Sequence, residues 1–382
     1  MSNTLTNLVA DAYSALDVVS RELVGFIPSV TRDASADRVA VGQNLRSFKT
    51  AANTAGKDIT AAMAFPAIAD QTVGNDNITI TKARAFPFSW SAEEQYAVNQ
   101  GAGTLSVAQD QIAQAIRAAV NEIENDLADA AALGASGAIT PNATTLFSAT
   151  LKDVAFAKKF LDDRGAPLSD RHMVLNTTAS AAMRGLTQLN SVDSAGDNGL
   201  LRQGVLGNLM GFGVRESAQV GLTATATGAS YLINNASGYA VGSTTLAVDT
   251  GTGTIPVGSI VSIGANSYTV VTGFAGSGSG SITIAAPGLI AAIADNAAVT
   301  VLSAQDANAA FSRNAIILAT RLPEVPLGGN DLALMREVVT DPRSGLSFEL
   351  AVYPGYRMVH YEIGVLWGAK VLKPEHICLL AD

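Results

Sequence analysis

The segment from Leu222 to Gln305 contains only two formally charged side chains, Asp249 and Asp295, in a chain that is 15% charged overall. It consists of Gly, Ser, Thr, Ala and β-branched residues in short runs that alternate with a period of two, and such runs predict β-strands. Sequence with an ordinary mixture of Arg, Glu and Asp resumes on both sides. A break in composition that is bounded in this way predicts a small all-β domain inserted into a larger fold.

The overall composition limits the classes of protein that remain. The chain has 382 residues, which is enough for two or three domains with cores of their own. It has no apolar run of the roughly 18 residues that a membrane span requires, and its N-terminus lacks the pattern of a secretory signal. The single cysteine, Cys378, cannot form an internal disulfide, so we expect a reducing compartment. A net charge of −9 argues against tight binding of nucleic acid across the surface.

The strongest helix prediction covers residues 106–133. Ser106 and Gln109 fit a capping box at its start, and Gly134 fits its end. Apolar residues recur between them at helical spacing, and a helix of this length spans about 40 Å at about 1.5 Å per residue. Such a helix is a spine for a flat or elongated domain. Its other face carries the acidic residues Glu122, Glu124, Asp126 and Asp129.

The remaining segments predict a mixture of helices and strands in an α+β fold. An amphipathic helix is predicted at the N-terminus, whereas residues 32–57 have the composition of a locally basic mobile arm or long loop. Alternation over residues 78–90 predicts the return strand of a long hairpin, and residues 151–164 predict a second helix. Buried strands are predicted for RHMVLN, SRNAIILAT, SGLSFELAVYPG and YRMVHYEIGVLWG.

No motif in the sequence predicts catalysis or cofactor binding. Four glycines between residues 204 and 213 lack the lysine of a phosphate-binding loop and the order of a dinucleotide site, so we interpret them as turn residues. His172, His360 and His376 have no metal-ligand spacing. The acidic cluster of the long helix could hold a cation, but its helical spacing favours a solvated or intersubunit face. We therefore predict no enzyme, no cofactor and no metal site.

The order of the elements resembles that of tailed-bacteriophage major capsid proteins. FSWSAEEQ and the long helix resemble the exit from the extended loop into the spine helix of that family. RHMVLN with its following helix, and GVLGNLMGFGVRES, resemble parts of its axial domain, and EIGVLWGAKVLKPEHICLL resembles its last peripheral strand and turn. The insert lies between VRESAQV and NAIILAT, which is similar to the coat proteins of the short-tailed Salmonella phage group, where a β-barrel is inserted.

This resemblance implies a tailed-phage or herpesvirus-type major capsid fold with an inserted small β-barrel. The extended loop is expected to be a β-hairpin. The implied divisions are an N-terminal arm and helix at 1–40, the extended loop at 41–92, a peripheral domain with the spine helix at 93–140 and 340–382, an axial domain at 141–221 and 306–339, and the inserted β-domain at 222–305.

The function implied by the resemblance is that of a major capsid protein, a self-assembling structural subunit of an icosahedral phage head around double-stranded DNA. Its partners would be further copies of itself in pentamers and hexamers, a separate scaffolding protein and a portal, with only weak contact to the packaged DNA and none to a membrane. It would be assembled in the bacterial cytoplasm and reside in the virion capsid. Two alternatives remain open: a bacterial surface or adhesion protein with a β-module, and an unrecognised α/β enzyme.

The residues expected at subunit interfaces follow from opposite local charge. Arg46, Lys49 and Lys57 of the basic segment would pair with carboxylates of the long helix in a neighbouring subunit, namely Glu122, Glu124, Asp126 and Asp129. Some members of the wider family cross-link their subunits through a loop lysine, and Lys49 and Lys57 lie where such a lysine would be. No motif selects either one, so we expect boiled particles to release only monomer.

Overall fold

The computed structural model describes residues 23–50, 73–99, 104–140, 145–148, 150–190, 206–326, 331–341 and 343–381. The predicted N-terminal helix, apart from its last residue, and Lys57 lie outside these residues. The helices are α1 (Ala92–Asn99), α2 (Thr104–Gly134), α3 (Lys152–Asp163), α4 (Thr177–Arg184) and α5 (Thr187–Asn190). Within the described residues, no helix is long and apolar enough to cross a membrane. The α+β class predicted from the sequence is confirmed.

The strands fall into two large sheets and one separate hairpin. Those before the insert are β1 (Thr31–Val39), β2 (Asn44–Thr50), β3 (Val73–Thr79), β4 (Lys82–Ser91), β5 (Gly137–Ile139), β6 (Arg171–Leu175), β7 (Asn208–Leu209) and β8 (Phe212–Glu216). Those of the insert are β9 (Tyr231–Ile233), β10 (Thr245–Asp249), β11 (Ile260–Ile263), β12 (Asn266–Thr272), β13 (Gly280–Ile284) and β14 (Ala298–Val301). Those after it are β15 (Ala307–Ser312), β16 (Ile316–Pro323), β17 (Met335–Thr340), β18 (Ser347–Gly355), β19 (Met358–Val371) and β20 (Ile377–Ala381).

The first sheet is built around β19, whose 14 residues are long enough to pair with three other strands. It pairs antiparallel with β18 over Met358–Gly364 and with β16 over Leu366–Val371. It pairs with β4, also antiparallel, over Met358–Trp367. β17 follows β18 as an edge strand, and β1 lies parallel to β16 at the far end. The sheet is therefore long and narrow rather than compact.

Helix α2 lies across this sheet and contributes its apolar stripe to the core. The predicted helix over residues 106–133 is observed as Thr104–Gly134. Its buried apolar residues recur at helical spacing and are Ile116, Ala119, Val120, Ile123, Leu127, Ala128 and Ala131. Each large member stabilises the fold by about 1.5–3 kcal/mol on burial. The same core includes Trp367 of β19 and Phe26, whose ring stacks on Phe311 with centroids 5.9 Å apart.

The second sheet has the host strand order β5, β20, β15, β6, β8 and β7. Helices α3 and α4 pack on one of its faces. β20 lies between β5 and β15, and all five of its residues are buried, as is typical of a strand covered on both faces. The end of the segment 340–382 therefore pairs within the second sheet, whereas β16, within the segment 306–339, pairs within the first.

The polar segment after residue 31 differs from the arm or loop predicted for it. Residues 31–39 form β1, paired in parallel with β16, and β2 pairs antiparallel with β3 in a separate hairpin. The charged side chains of β1 are held by groups distant in sequence: Arg32 donates to the Ser344 carbonyl at 2.7 Å, and Asp33 pairs with Arg321 at 2.9 Å. The polar sequence predicted a loop, because the groups that pair with these charged side chains are far away in the sequence.

The inserted segment folds into a closed ring of six antiparallel strands. The order is β11, β14, β9, β10, β13 and β12, and β12 pairs again with β11 to close the ring. Its core draws only on residues of the insert, from Tyr231 to Val301. Gly251 allows the Tyr231 ring to close over it, because a Cβ atom there would lie 2.2 Å from the ring. The ring joins the second sheet where Ser267 of β12 pairs with Ala138 of β5.

Candidate functional surfaces

Glu122 and Asp126 of α2 lie in an ion-pair cluster on β4 and β19, whereas Glu124 lies in the protein interior. Lys82 Nζ lies 2.7 Å from Asp126 Oδ1 and 3.5 Å from Glu122 Oε1. Arg84 Nε donates to Glu122 at 2.8 Å, and Trp367 Nε1 donates to Asp126 Oδ2 at 2.8 Å. The hydrogen bond with Asp126 raises the pKa of Lys82. Glu122 and Asp126 therefore already have basic partners within their own chain.

Glu124 lies in the protein interior, where it is 0% exposed. Its Oε1 accepts hydrogen bonds from the backbone N–H groups of Gly25 and Phe26, both at 2.6 Å, and its Oε2 accepts one from Ile27 at 2.9 Å. Ser217 Oγ donates to Oε1 at 2.8 Å. The prediction that Glu124 contacts a neighbouring subunit is therefore wrong, because its carboxylate is enclosed and occupied within one chain.

The Glu124 carboxylate is held by dipoles rather than by a counterion. Burial raises its pKa, and the hydrogen bonds from the backbone and from Ser217 oppose that rise. Successive N–H groups that converge on one acceptor form a concave anion site, which here is filled by a side chain of the same chain. One buried carboxylate thereby ties residues 25–27 to α2 and to the residue that follows β8. We call this arrangement the Glu124 clamp.

Asp129 and Arg46, two other residues predicted at subunit interfaces, are exposed. Asp129 accepts a hydrogen bond from Asn125 Nδ2 at 3.2 Å. Arg46 lies on β2, opposite Asn77, and Lys49 lies on the same strand. The pairing of Arg46 and Lys49 with carboxylates of a neighbouring subunit stays a prediction.

A further charged cluster, which the sequence analysis missed, joins β1, β17 and β18. Arg336 Nε lies 2.6 Å from Asp331 Oδ2, and Arg336 Nη2 donates to Tyr353 Oη at 2.9 Å. Glu349, with its side chain 2% exposed, pairs with both Arg336 and Arg38. The one signal in the sequence is a glutamate within the apolar strand SGLSFELAV. A charge placed there needs a partner, but the sequence does not say which one.

The outer edge of the first sheet is apolar and exposed. Among the described residues, β17 pairs only with β18, so its other edge has backbone groups without strand partners. The exposed apolar side chains at this edge are Leu332 (77%), Leu334 (70%), Met335 (47%) and Val338 (47%), which we call the edge surface. An edge strand with apolar side chains is a template for pairing with another chain.

Cys378, His172 and His376, considered above as candidate reactive or metal-binding residues, are buried within the fold. Cys378 is fully buried in β20, and burial raises the pKa of its thiol. Burial also lowers the pKa values of His172 and His376, each 7% exposed. In the described part of the chain, no group of three or more His, Cys, Asp or Glu residues is placed to hold a metal ion. The prominent features of the described residues are ion-pair clusters and an exposed edge.

Comparison with known proteins shows the fold. No protein-family model matches the chain, and no curated protein matches it. A solved structure from Mycobacterium phage Che8 is similar with a TM-score of 0.52 at 14% identity, covering 100% of this chain and 95% of that chain. The capsid structure of the cyanophage P-SCSP1u is similar with a TM-score of 0.50 at 13% identity, covering 96% of this chain and 91% of that chain. The chain has the fold of a bacteriophage capsid subunit.

Proposed function

We propose that the protein is the major capsid protein of a tailed bacteriophage, which self-assembles through pentamers and hexamers into an icosahedral head around double-stranded DNA. The observation that carries this proposal is the likeness to phage structures over 100% and 96% of the chain. That extent does not favour an adhesion protein, because the likeness includes the host fold as well as the β-module. It does not favour an enzyme either, since the comparison is with a capsid.

The finer assignments are part of the same proposal. We assign α2 as the spine helix, the β2–β3 hairpin as the extended loop, and the second sheet with α3 and α4 as the axial domain. A closed ring of six strands between β8 and β15 supports a place near the short-tailed Salmonella phage coat group. A separate scaffolding protein, a portal and assembly in the bacterial cytoplasm follow from that membership.

The edge surface is the proposed contact with a neighbouring subunit. A shell requires large and continuous interfaces, and obligate interfaces bury about 2,000 Å² or more with a high apolar content. Leu334 directly precedes β17, and its N–H donates to the Val352 carbonyl of β18 at 2.7 Å. Its side chain remains 70% exposed. Burial against a second copy would remove this apolar surface from water.

The experiment compares the wild-type protein with Leu334→Asp and with Leu168→Asp. Leu168 is a matched control, because it is 74% exposed and lies in the loop after α3. We expect the wild type and Leu168→Asp to form closed shells or capsomer rings in negative-stain microscopy and in sedimentation. Leu334→Asp should remain as small soluble species, because a carboxylate at a buried interface without a partner is unfavourable.

The outcomes separate the two parts of the proposal. Fibres or only small particles from the wild type, with its scaffolding protein present, would contradict the capsid function. Normal shells from Leu334→Asp would leave the capsid function in place and exclude the edge surface as a subunit contact.

A further inference from the structure

Two arginines flank His172 of the second sheet, one toward each end of strand β6. His172 of β6 is in register with Gly213 of the parallel strand β8 and with Phe311 of β15. Arg215 and Arg313 each follow one of these partners by two residues. Since side chains two positions apart share a face of a strand, Arg215 shares the face of His172. Arg313 begins the 3₁₀ turn directly after β15, and its guanidinium contacts His172. We call His172, Arg215 and Arg313 the basic cluster.

The imidazole of His172 is buried and contacts the guanidinium of Arg313. His172 is 7% exposed, and its Nε2 lies 3.2 Å from Arg313 Nη2. Burial and the charges of Arg313 and Arg215 lower the pKa of His172, while Asp170 has a smaller opposite effect. The neutral ring can therefore accept the hydrogen bond from Arg313 through Nε2. Arg313 Nε is buried and has no hydrogen-bond partner.

The two arginines of the cluster lack an anionic partner among the described residues. Arg215 is exposed and makes no ion pair there, although the next residue, Glu216, pairs bidentately with Arg184 at 2.5 and 2.7 Å. Partial desolvation of its guanidinium and the charge of Arg313 lower the pKa of Arg215. Like charges held close together are unfavourable unless an anion lies between them. This arrangement occurs in a chain with a net charge of −9, where carboxylates are in excess.

We propose that the basic cluster binds a phosphate group between Arg215 and Arg313. A guanidinium presents parallel N–H donors in a rigid fork that matches two phosphate oxygens, and two such forks suit a tetrahedral anion. His172 positions Arg313 and does not itself need to touch the anion. Phosphate binding rests on the geometry of the cluster, whereas packaged DNA as the source of the phosphate rests on the proposed function.

The first experiment measures phosphate binding by thermal unfolding of the full-length, unassembled protein. Sodium phosphate is compared with sodium chloride at equal ionic strength, because an anion that binds only the folded state raises the unfolding midpoint. We expect the wild type to be stabilised, and Arg313→Gln to bind phosphate about tenfold more weakly, as for the loss of one charge-assisted hydrogen bond. The control Lys152→Gln removes one exposed charge from α3, on the other face of the sheet, and should behave like the wild type.

Two results of this experiment would overturn the proposal. One is a wild-type protein that phosphate stabilises no more than chloride does, which amounts to an adventitious ion only. The other is an equal response of Arg313→Gln and the wild type. A variant that fails to assemble while the wild type shows no phosphate effect would mean that the cluster meets a carboxylate of a neighbouring subunit, and this also overturns the proposal.

The second experiment identifies the source with a short fluorescent DNA duplex. Its binding to the full-length protein is followed by anisotropy over a range of salt concentrations. If the site holds a DNA phosphate, Arg215→Gln should reduce the slope of log affinity against log salt by about one. An unchanged slope together with phosphate stabilisation supports a free phosphate ion and overturns DNA as the source. Microscopy of the same variants keeps the two proposals apart, since normal shells without phosphate binding contradict only the inference.

Discussion

The Glu124 clamp can be tested by Glu124→Gln, which keeps the shape of the side chain and removes its charge. In the native protein Oε1 accepts hydrogen bonds from Gly25, Phe26 and Ser217, and Oε2 accepts one from Ile27. The amide has only one oxygen. If that oxygen takes the place of Oε1, three hydrogen bonds survive and the amide NH₂ faces the N–H of Ile27, so that two donors oppose each other.

The expected loss of stability follows from the donors left unpaired. One buried donor without an acceptor costs about 1–3 kcal/mol, and the surviving bonds lose the strengthening that the charge gives them. Removal of a buried charge offsets part of this, because burial is the main cause of the raised pKa of Glu124. We expect Glu124→Gln to lower the free energy of unfolding by about 1–3 kcal/mol, and Glu124→Ala, which leaves every donor unpaired, by about 3–5 kcal/mol.

The assay is urea denaturation of the unassembled subunit, followed by tryptophan fluorescence. Trp367 is fully buried and bonded to α2 through Asp126, so its emission reports on the packing of the helix. The matched control is Glu122→Gln on the same helix. Its partner Arg84 has a side chain that is 55% exposed, and such pairs contribute about 0–1 kcal/mol. Equal stability of Glu124→Gln and Glu122→Gln would refute the clamp.

The pH dependence provides an independent check with a defined sign. Because the pKa of Glu124 is raised in the folded protein, the folded state holds the proton more tightly than the unfolded state. The contribution of this group to stability is fully present below its ordinary pKa of 4.5 and is lost as the pH rises through the folded value. The difference between the wild type and Glu124→Gln should therefore shift in favour of the wild type as the pH falls toward 4.5. A flat difference profile contradicts this reasoning.

Two further variants test other charged groups. The hydrogen bonds from Arg184 lower the pKa of Glu216, so the pair stabilises the fold above the ordinary pKa of Glu216, and this stabilisation is lost on acidification through the lowered value. In urea denaturation, Glu216→Gln should be less stable than the wild type by about 1–2 kcal/mol at neutral pH, and this difference should disappear in acid. A difference that does not depend on pH would exclude the ion pair as its cause. Arg46→Glu should weaken assembly at low salt and not at high salt, because salt screens an exposed pair; light scattering that matches the control Lys152→Glu at every salt concentration would exclude the predicted contact.

The long helix and the inserted β-domain could be predicted because their signals are local. Helical spacing from Ile116 to Ala131 corresponds to the face that is buried, and capping residues place the ends of α2 within two residues. The insert is recognisable because the period-two alternation persists from Leu222 to Gln305 and only two charged residues occur there. Neither prediction requires knowledge of what the segment packs against.

The Glu124 clamp could not be predicted, because its partners are nearly a hundred residues away. Gly25 and Glu124 are separated by 99 positions, and three of the donors to the carboxylate are backbone N–H groups without a sequence signature. Glu124 is buried beside Ile123, whereas Glu122 and Asp126 are partly exposed. In the sequence alone, the three acidic residues look alike. A helical wheel cannot tell a buried carboxylate with four donors from a solvated one.

The position of the clamp connects two features of the subunit that the sequence presents as unrelated. Residues 25–27 lie shortly before β1, and Ser217 lies between β8 and the inserted ring, five residues before Leu222. The Ala218 N–H also donates to the Leu23 carbonyl at 3.1 Å, so the two segments run together past α2. A shell subunit needs its projecting parts to leave the body at fixed angles, because small changes in angle at one subunit are repeated around a closed shell. Loss of the Glu124 carboxylate should therefore loosen residues 25–27 and the base of the insert together.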